Sequence, residues 1–276
     1  MMPSPALDAE VRYAGDLARG FGGALLFSTP LLMTQEMWSL PAEMAPARLL
    51  MFIALALPLL YGLAYYAGFR SSVGVVANTL DTLAAVAVGF ILAGVILTLF
   101  GIVDGRGSPA EIAGQLGLQS IAGAFGALLA RRQLAPSADD GEPDDDADAD
   151  TYFGELFLMV AGALFIAFNI APTEEVMLIA HMMSGWMTLA LAIVSIALLH
   201  VIVYRISLPG QHEHDRPTHA FFAFSVVGYS LAMAVCLYVL WTFGRLDGLP
   251  LQESLSLAMV LGFPASIGAA AARLLV

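Results

Sequence analysis

The chain contains no lysine, since all eleven of its basic residues are arginine, and it has a single cysteine, Cys236. Without lysine it can form neither a retinal Schiff base nor the phosphate-binding loop of an ATP-driven pump. One cysteine excludes an internal disulfide and a thiolate cluster for zinc or iron–sulfur. No nucleophile–base pair and no H-E-x-x-H sequence is present either, so we expect neither an enzyme nor a bound cofactor.

Charge is scarce and apolar residues dominate. Only 12% of residues are charged, 59% are hydrophobic and the mean hydropathy is +0.81. Apolar runs of about 20 residues are long enough to cross a bilayer as helices, and the alternating segments of a membrane barrel are missing. We therefore predict an all-α fold, a polytopic bundle of about eight spans, at about 20–39, 47–68, 79–102, 110–131, 152–172, 176–203, 219–244 and 253–275.

The arginines predict an orientation. With eight spans, eight arginines fall on the side of the termini and only three on the other, and an excess of basic residues marks the cytoplasmic side. This pattern predicts both termini in the cytoplasm, with residues 1–19 as a cytoplasmic segment that leads into the first span. The three arginines predicted outside are Arg48, Arg106 and Arg245.

An acidic stretch divides the chain in two. Eight acidic residues lie between Asp139 and Asp150, and they account for most of the formal net charge of −12. Such a run repels itself and buries nothing, so residues 133–151 are predicted to be a disordered linker. The predicted organisation is then a first four-span repeat over 20–132 and a second over 152–276.

The two halves resemble each other in sequence. Glu36 and Glu175 close similar apolar segments 139 residues apart, and Gly126 with Arg131 matches Gly268 with Arg273. A duplication of four spans inserts both copies the same way up, which predicts a pseudo-two-fold axis along the membrane normal. Under this interpretation Glu36 and Glu175 lie at equal depth, near the outer surface rather than at the midplane.

Carboxylates at the end of a membrane span are costly and predict a functional site. We interpret Glu36 and Glu175 as cation-coordinating or proton-accepting groups, since carboxylate, hydroxyl and carbonyl oxygens suit hard cations. Neighbouring oxygen donors complete the predicted ion-binding set: Glu174, Thr34 and Thr173.

Polar residues inside the apolar runs are candidates for lining a cavity. Proline-containing interruptions in the first and fifth spans, and a stripe on the fourth span at i, i+4 and i+8, supply them: Ser28, Thr29, Asn169, Glu111, Gln115 and Gln119. The alternative for the interruptions is a kink that only aids packing. Small residues such as Ala122, Gly126 and Gly268 predict close helix contacts, and the tryptophans predict interfacial anchors.

A stretch in the first half resembles the opening signature of a known family. Residues 22–38, GGALLFSTPLLMTQEMW, and the later residues 171–175, APTEE, are similar to a bacterial family of integral membrane proteins of unknown function. The resemblance implies a bacterial inner-membrane protein of seven or eight spans, without an assigned activity.

Together these features favour a cation or proton channel, or a secondary transporter. The alternative is a non-transporting scaffold or sensor that acts through a cytoplasmic partner. The expected partners are the lipid bilayer and an inorganic cation or proton, with no nucleic acid and with a homo-oligomer left open.

Overall fold

A computed structural model describes residues 5–67, 74–134, 152–205 and 221–275, and within these ranges the secondary structure is helical, with no strand. The chain divides into two compact units, Met1–Pro143 and Asp144–Val276. Most of the predicted acidic linker (residues 133–151), and residues 1–4 of the segment predicted to be cytoplasmic, lie outside the described residues.

The described residues of unit 1 form five helices: α1 Pro5–Leu32, α2 Gln35–Glu43, α3 Pro46–Ala67, α4 Val75–Leu99 and α5 Pro109–Leu134. Helix α5 is central, because it contacts each of the other four. In its apolar window 72% of residues are buried, against 28% in α3. It is also the least apolar of the long helices, with a mean hydropathy of 1.4 against 2.5 for α4. Its small and polar side chains are thus shielded from lipid by the more apolar helices around it.

Unit 2 has the same succession of long and short helices: α6 Tyr152–Ile170, α7 Glu174–Met182, α8 Gly185–Arg205, α9 Val227–Thr242 and α10 Leu251–Leu275. A π-helical turn, Phe221–Val226, leads into α9. Helix α10 takes the central position and contacts α6, α7, α8 and α9. Its apolar window is 61% buried, against 28% for α8.

Glycines let the backbones of the central helices contact the backbones of neighbouring helices. A Cβ atom added to Gly162 would lie 2.3 Å from the carbonyl oxygen of Gly268, and one added to Gly126 would lie 2.8 Å from that of Gly23. A Cβ atom at Gly89 of α4 would lie 2.2 Å from the carbonyl oxygen of Ser120. The prediction that Gly126 and Gly268 support close helix packing is confirmed.

The turn before each central helix depends on glycine in a left-handed conformation. Gly101 follows α4 with φ of 72°, and Gly244 follows α9 with φ of 73°. Side chains with a Cβ atom disfavour this conformation. The same backbone path therefore ends the helix before α5 and the helix before α10.

Seven helices in the described residues are long and apolar enough to cross a membrane. The apolar part of α1, Leu17–Leu32, is shorter than the other seven. Two of the predicted runs are not single helices. The run at about 20–39 contains the end of α1 and the start of α2, and the run at about 176–203 contains most of α7 and α8. Hydropathy alone does not reveal these breaks because the polar stretch at each is short and apolar residues flank it on both sides.

We expect Gly162→Ala to lower the stability of unit 2 by about 1–3 kcal/mol, because the new methyl group meets backbone atoms that cannot move without shifting a helix. Gly94→Ala is the matched control, since its Cβ atom would meet nothing nearer than 4.0 Å and alanine favours the helix. Thermal unfolding of the detergent-purified protein measures both. Equal melting temperatures for the two variants would contradict the close contact between α6 and α10.

Candidate functional site

Helix α1 stops at Leu32, and local donors satisfy part of its end. Thr34 lies in an extended conformation between α1 and α2. Its N–H donates to the carbonyl of Leu31 at 3.1 Å, and its hydroxyl donates to the carbonyl of Pro30 at 2.5 Å. The N–H of Met33 donates to the carbonyl of Thr29 at 3.0 Å. A helix end inside lipid requires such donors because no water is available there.

The remaining donors at this break come from side chains further along the sequence. The indole N–H of Trp38 donates to the carbonyl of Leu32 at 2.8 Å. From α5, the amide of Gln119 donates to the carbonyl of Leu31 at 3.4 Å, and the amide of Gln115 donates to that of Trp38 at 3.0 Å. All four final carbonyls of α1 thus have a donor.

The glutamine stripe of α5 therefore faces the break between α1 and α2. Gln115 is 7% exposed and Gln119 is 1% exposed. Gln119 donates to a carbonyl at the end of α1, and Gln115 donates to the carbonyl of Trp38 within α2. Gln119 Oε1 is buried without a partner among the described residues. Glu111 lies one turn before Gln115, half-buried in the first turn of α5. That these residues line a cavity stays a prediction.

Ser28 and Thr29 donate their hydroxyl hydrogens one turn back along α1, to the carbonyls of Ala24 and Leu25. Ser28 is buried and Thr29 is half-buried. In α6, Asn169 similarly donates its amide to the carbonyl of Phe165 at 2.6 Å. The polar groups predicted to line a cavity thus bond to their own helices, and a role in lining a cavity stays a prediction for them as well.

The break in unit 2 lies between α6 and α7 and is closed by a different donor. Thr173 repeats the behaviour of Thr34, since its N–H and its hydroxyl both donate to the carbonyl of Ile170, at 3.0 and 2.9 Å. The carbonyl of Pro172 accepts from the guanidinium group of Arg245, which follows α9. In unit 2 an arginine therefore donates a hydrogen bond to a carbonyl at the break, as tryptophan and glutamine do in unit 1.

The predicted carboxylates come immediately after the two breaks. Glu36 lies in the first turn of α2, and Glu174 and Glu175 lie in the first turn of α7. Glu36 is half-buried, and the two residues of α7 are exposed. Within the described residues these three carboxylates have no hydrogen-bond or ion-pair partner.

The breaks lie beside the interior of the central helices. Gln119, which contacts the end of α1, is ten residues beyond Pro109, about 15 Å along α5 at the rise of an α-helix. The apolar window of α5 is Pro109–Leu129, so the end of α1 lies near its middle. The carbonyl of Trp38 after the break lies next to Gln115, and the depth of Glu36 in the membrane stays a prediction.

Unit 2 contains a cavity of about 340 Å³ beside its break. It lies between the end of α6, helix α7, helix α8 and the middle of α10. Apolar side chains form most of its lining, and Thr173 and Glu175 are the two polar residues among the lining residues. The lining residues are Ile170, Thr173, Glu175, Val176, Ile179, Met183, Leu191, Val260, Phe263 and Pro264.

Glu36 and Glu175 belong to different units, so a site shared by both stays a prediction. Glu36 and Thr34 are neighbours at the first break, and Glu175, Glu174 and Thr173 are neighbours at the second. Within the described residues, no group of three or more His, Cys, Asp or Glu side chains could hold a metal ion.

Sequence reasoning missed Asp81, which is 2% exposed on α4 beside the buried Asn78 and Thr82. Asp81 is the one carboxylate in the 25 residues of α4, and a carboxylate inside an apolar run is itself a signal. It also missed the capping roles of Trp38 and Arg245. A tryptophan near a span end and an arginine in a loop carry no pattern that predicts a long-range hydrogen bond.

The helices, their apolar surfaces and the closed breaks define an all-helical integral membrane protein. The sequence model of one family matches residues 16–276. The chain belongs to this family, described as "Putative integral membrane protein (DUF2391)". The match agrees with the resemblance noted at residues 22–38 in placing the chain among integral membrane proteins of unknown function. No curated protein and no solved structure matches the chain.

We expect Trp38→Phe to destabilise unit 1 by about 1–3 kcal/mol, because the carbonyl of Leu32 loses its donor in a region without water. Trp186→Phe is the control, since Trp186 is 74% exposed. Thermal unfolding in detergent and limited proteolysis between α1 and α2 measure the effect. If both tryptophan variants unfold and are cleaved like the original protein, the capping role is wrong.

Proposed function

We propose that this protein is an ion channel or secondary transporter for a cation or for protons, in a bacterial inner membrane. One observation carries the proposal. In each unit a helix breaks beside the interior of the central helix, and a carboxylate occupies the first turn after the break. Discontinuous helices of this kind form ion and substrate sites in many transporters.

The physical cost of the arrangement supports a function for it. A break requires extra donors for several carbonyls, and the sequence supplies Trp38, Gln119 and Arg245 for this purpose. An uninterrupted helix would satisfy the same carbonyls without them. A carboxylate placed beside the break adds a further desolvation cost. Packing alone does not require both features in both units.

A duplication that gave two parallel four-span repeats is supported by the correspondence of elements. Both short helices have nine residues and begin 139 residues apart, at Gln35 and Glu174. Thr34 and Thr173 precede them in extended conformations and donate their hydroxyls backwards to the helix before. The correspondence gives Glu36 and Glu175 the same local position in their units.

In the proposed mechanism Glu36 and Glu175 accept the proton or coordinate the cation. Glu174 adds charge at the second break. Thr34 and Thr173 offer hydroxyl oxygens, whose hydrogens already bond to carbonyls and whose lone pairs face away from those bonds. The distribution of arginines supports cytoplasmic termini.

We expect the double variant Glu36→Gln/Glu175→Gln to lose most of its ion flux, by about tenfold or more, because each substitution removes a charge worth over 1 kcal/mol to a bound cation at low dielectric. Flux is measured in liposomes that contain the purified protein, with pH and cation gradients applied separately. Glu43→Gln is the control, since this exposed carboxylate lies at the opposite end of α2.

Full flux in the double variant would remove both glutamates from the mechanism. The absence of flux in the unaltered protein under every gradient would contradict the proposed transport function itself. Co-purification of a stoichiometric cytoplasmic partner in that case would favour a scaffold or sensor.

A further inference from the structure

We propose that the cavity beside Glu175 binds a small hydrophobic organic cation, such as an amine or quaternary ammonium group that carries one aromatic or short alkyl substituent. This inference rests on the proposed function, because it uses the same carboxylate, and it adds a substrate class. We refer to the space as the Glu175 cavity, defined by the ten lining residues given above.

The size of the Glu175 cavity limits its ligand. Its volume of about 340 Å³ is at the lower end of the range of about 300–1,000 Å³ found for small-molecule sites. It accommodates one aromatic ring or a few alkyl groups, and not a bulky polycyclic compound. Val176 is buried and forms the inner side of the cavity, while Ile179 is 46% exposed at its edge.

The lining combines an apolar surface with one negative charge. Eight of the ten side chains are apolar, Thr173 donates its hydroxyl to the carbonyl of Ile170, and Glu175 is the one charged residue in the lining. Arg245, whose guanidinium group bonds to Pro172, is not part of the lining. A ligand with an apolar body and a single positive charge is the complement of this surface.

The same lining disfavours a bare metal ion. Ca²⁺ takes six to eight oxygen ligands and Mg²⁺ six, whereas the side chains of the cavity offer one carboxylate and one hydroxyl. An organic cation needs less desolvation and gains from contact with apolar side chains. The ring of Phe263 can add a favourable interaction with the positive charge, and Met183 adds a polarisable, adaptable contact.

The helix break explains why a ligand site would form at this position. Helix α6 ends at Ile170, so the middle of α10, from Val260 to Pro264, has no continuing α6 residue to cover it. Helix α7 crosses this stretch, with Val176, Ile179 and Met183 one helical turn apart on the face that lines the cavity. The gap beside α10 is thus a direct product of the break.

Binding is tested with benzyltriethylammonium chloride on the detergent-purified full chain, by saturation-transfer NMR titration. We expect saturable binding of this cation and none of phenylmethanesulfonate, an anion with the same aromatic group. Glu175→Gln is expected to weaken binding by about tenfold, because it removes the one charge of the lining and keeps its shape. Glu253→Gln, an exposed carboxylate in the first turn of α10, serves as the control.

A second pair of variants tests the location without altering charge. Ile179→Trp is expected to fill the cavity and abolish binding, while Leu178→Trp, at a neighbouring residue that is 59% exposed and outside the lining, is expected to leave it unchanged. Both positions are exposed, so neither change disturbs the core. Equal loss in both variants would place the ligand elsewhere.

The inference is overturned if the cation and the anion bind equally, or if Glu175→Gln binds the cation as well as the original protein does. The space would then be an apolar crevice for a lipid chain. Its failure is distinguishable from failure of the proposed function. Binding of the cation without flux in liposomes would support the cavity as a binding site and contradict the proposed transport. Flux that depends on Glu175, without binding of benzyltriethylammonium, would support transport and contradict the binding site.

Discussion

A carbonyl group at the end of a helix that stops inside lipid must find a hydrogen-bond donor, and this requirement organises both units. Helix α1 meets it with the indole of Trp38 and the amide of Gln119, and the break after α6 meets it with the guanidinium group of Arg245. Without these donors the open carbonyls would carry the full penalty of burial. The short helices α2 and α7, and the carboxylates in their first turns, exist where they do because the breaks are closed in this way.

The same requirement explains the composition of the central helix of unit 1. A helix that brings Gln115 and Gln119 to a break is poorly suited to contact lipid, so it lies in the middle of its unit. Glycine positions then let its neighbours come close enough to cover it. The more apolar helices α3 and α4 are less buried than α5 in unit 1, as α8 is less buried than α10 in unit 2. In unit 1 the position of α5 thus follows from the side chains that the break needs.

The long apolar runs predicted a helical membrane bundle, and the spacing of Gln115 and Gln119 predicted one polar face. The prolines of the first and fifth runs predicted interruptions there, but not where the helices end. Pro30 lies within α1, and apolar residues flank the short polar stretch that begins at Thr34, so hydropathy does not show where the backbone turns extended. From the sequence, Trp38 was interpreted as an interfacial anchor. Its hydrogen bond to the carbonyl six residues earlier could not be predicted, because that bond depends on the break itself. Asp81 was missed although a carboxylate inside an apolar run is a sequence signal, and its burial at 2% exposure now marks it.

The arginine that closes the second break also makes the two units electrically unequal. Neutral donors close the break in unit 1, whereas Arg245 fixes a permanent positive charge at the break in unit 2. A cation at the second break would meet a repulsion that the first break does not impose. A pair of units with similar architecture is therefore not a pair with interchangeable roles.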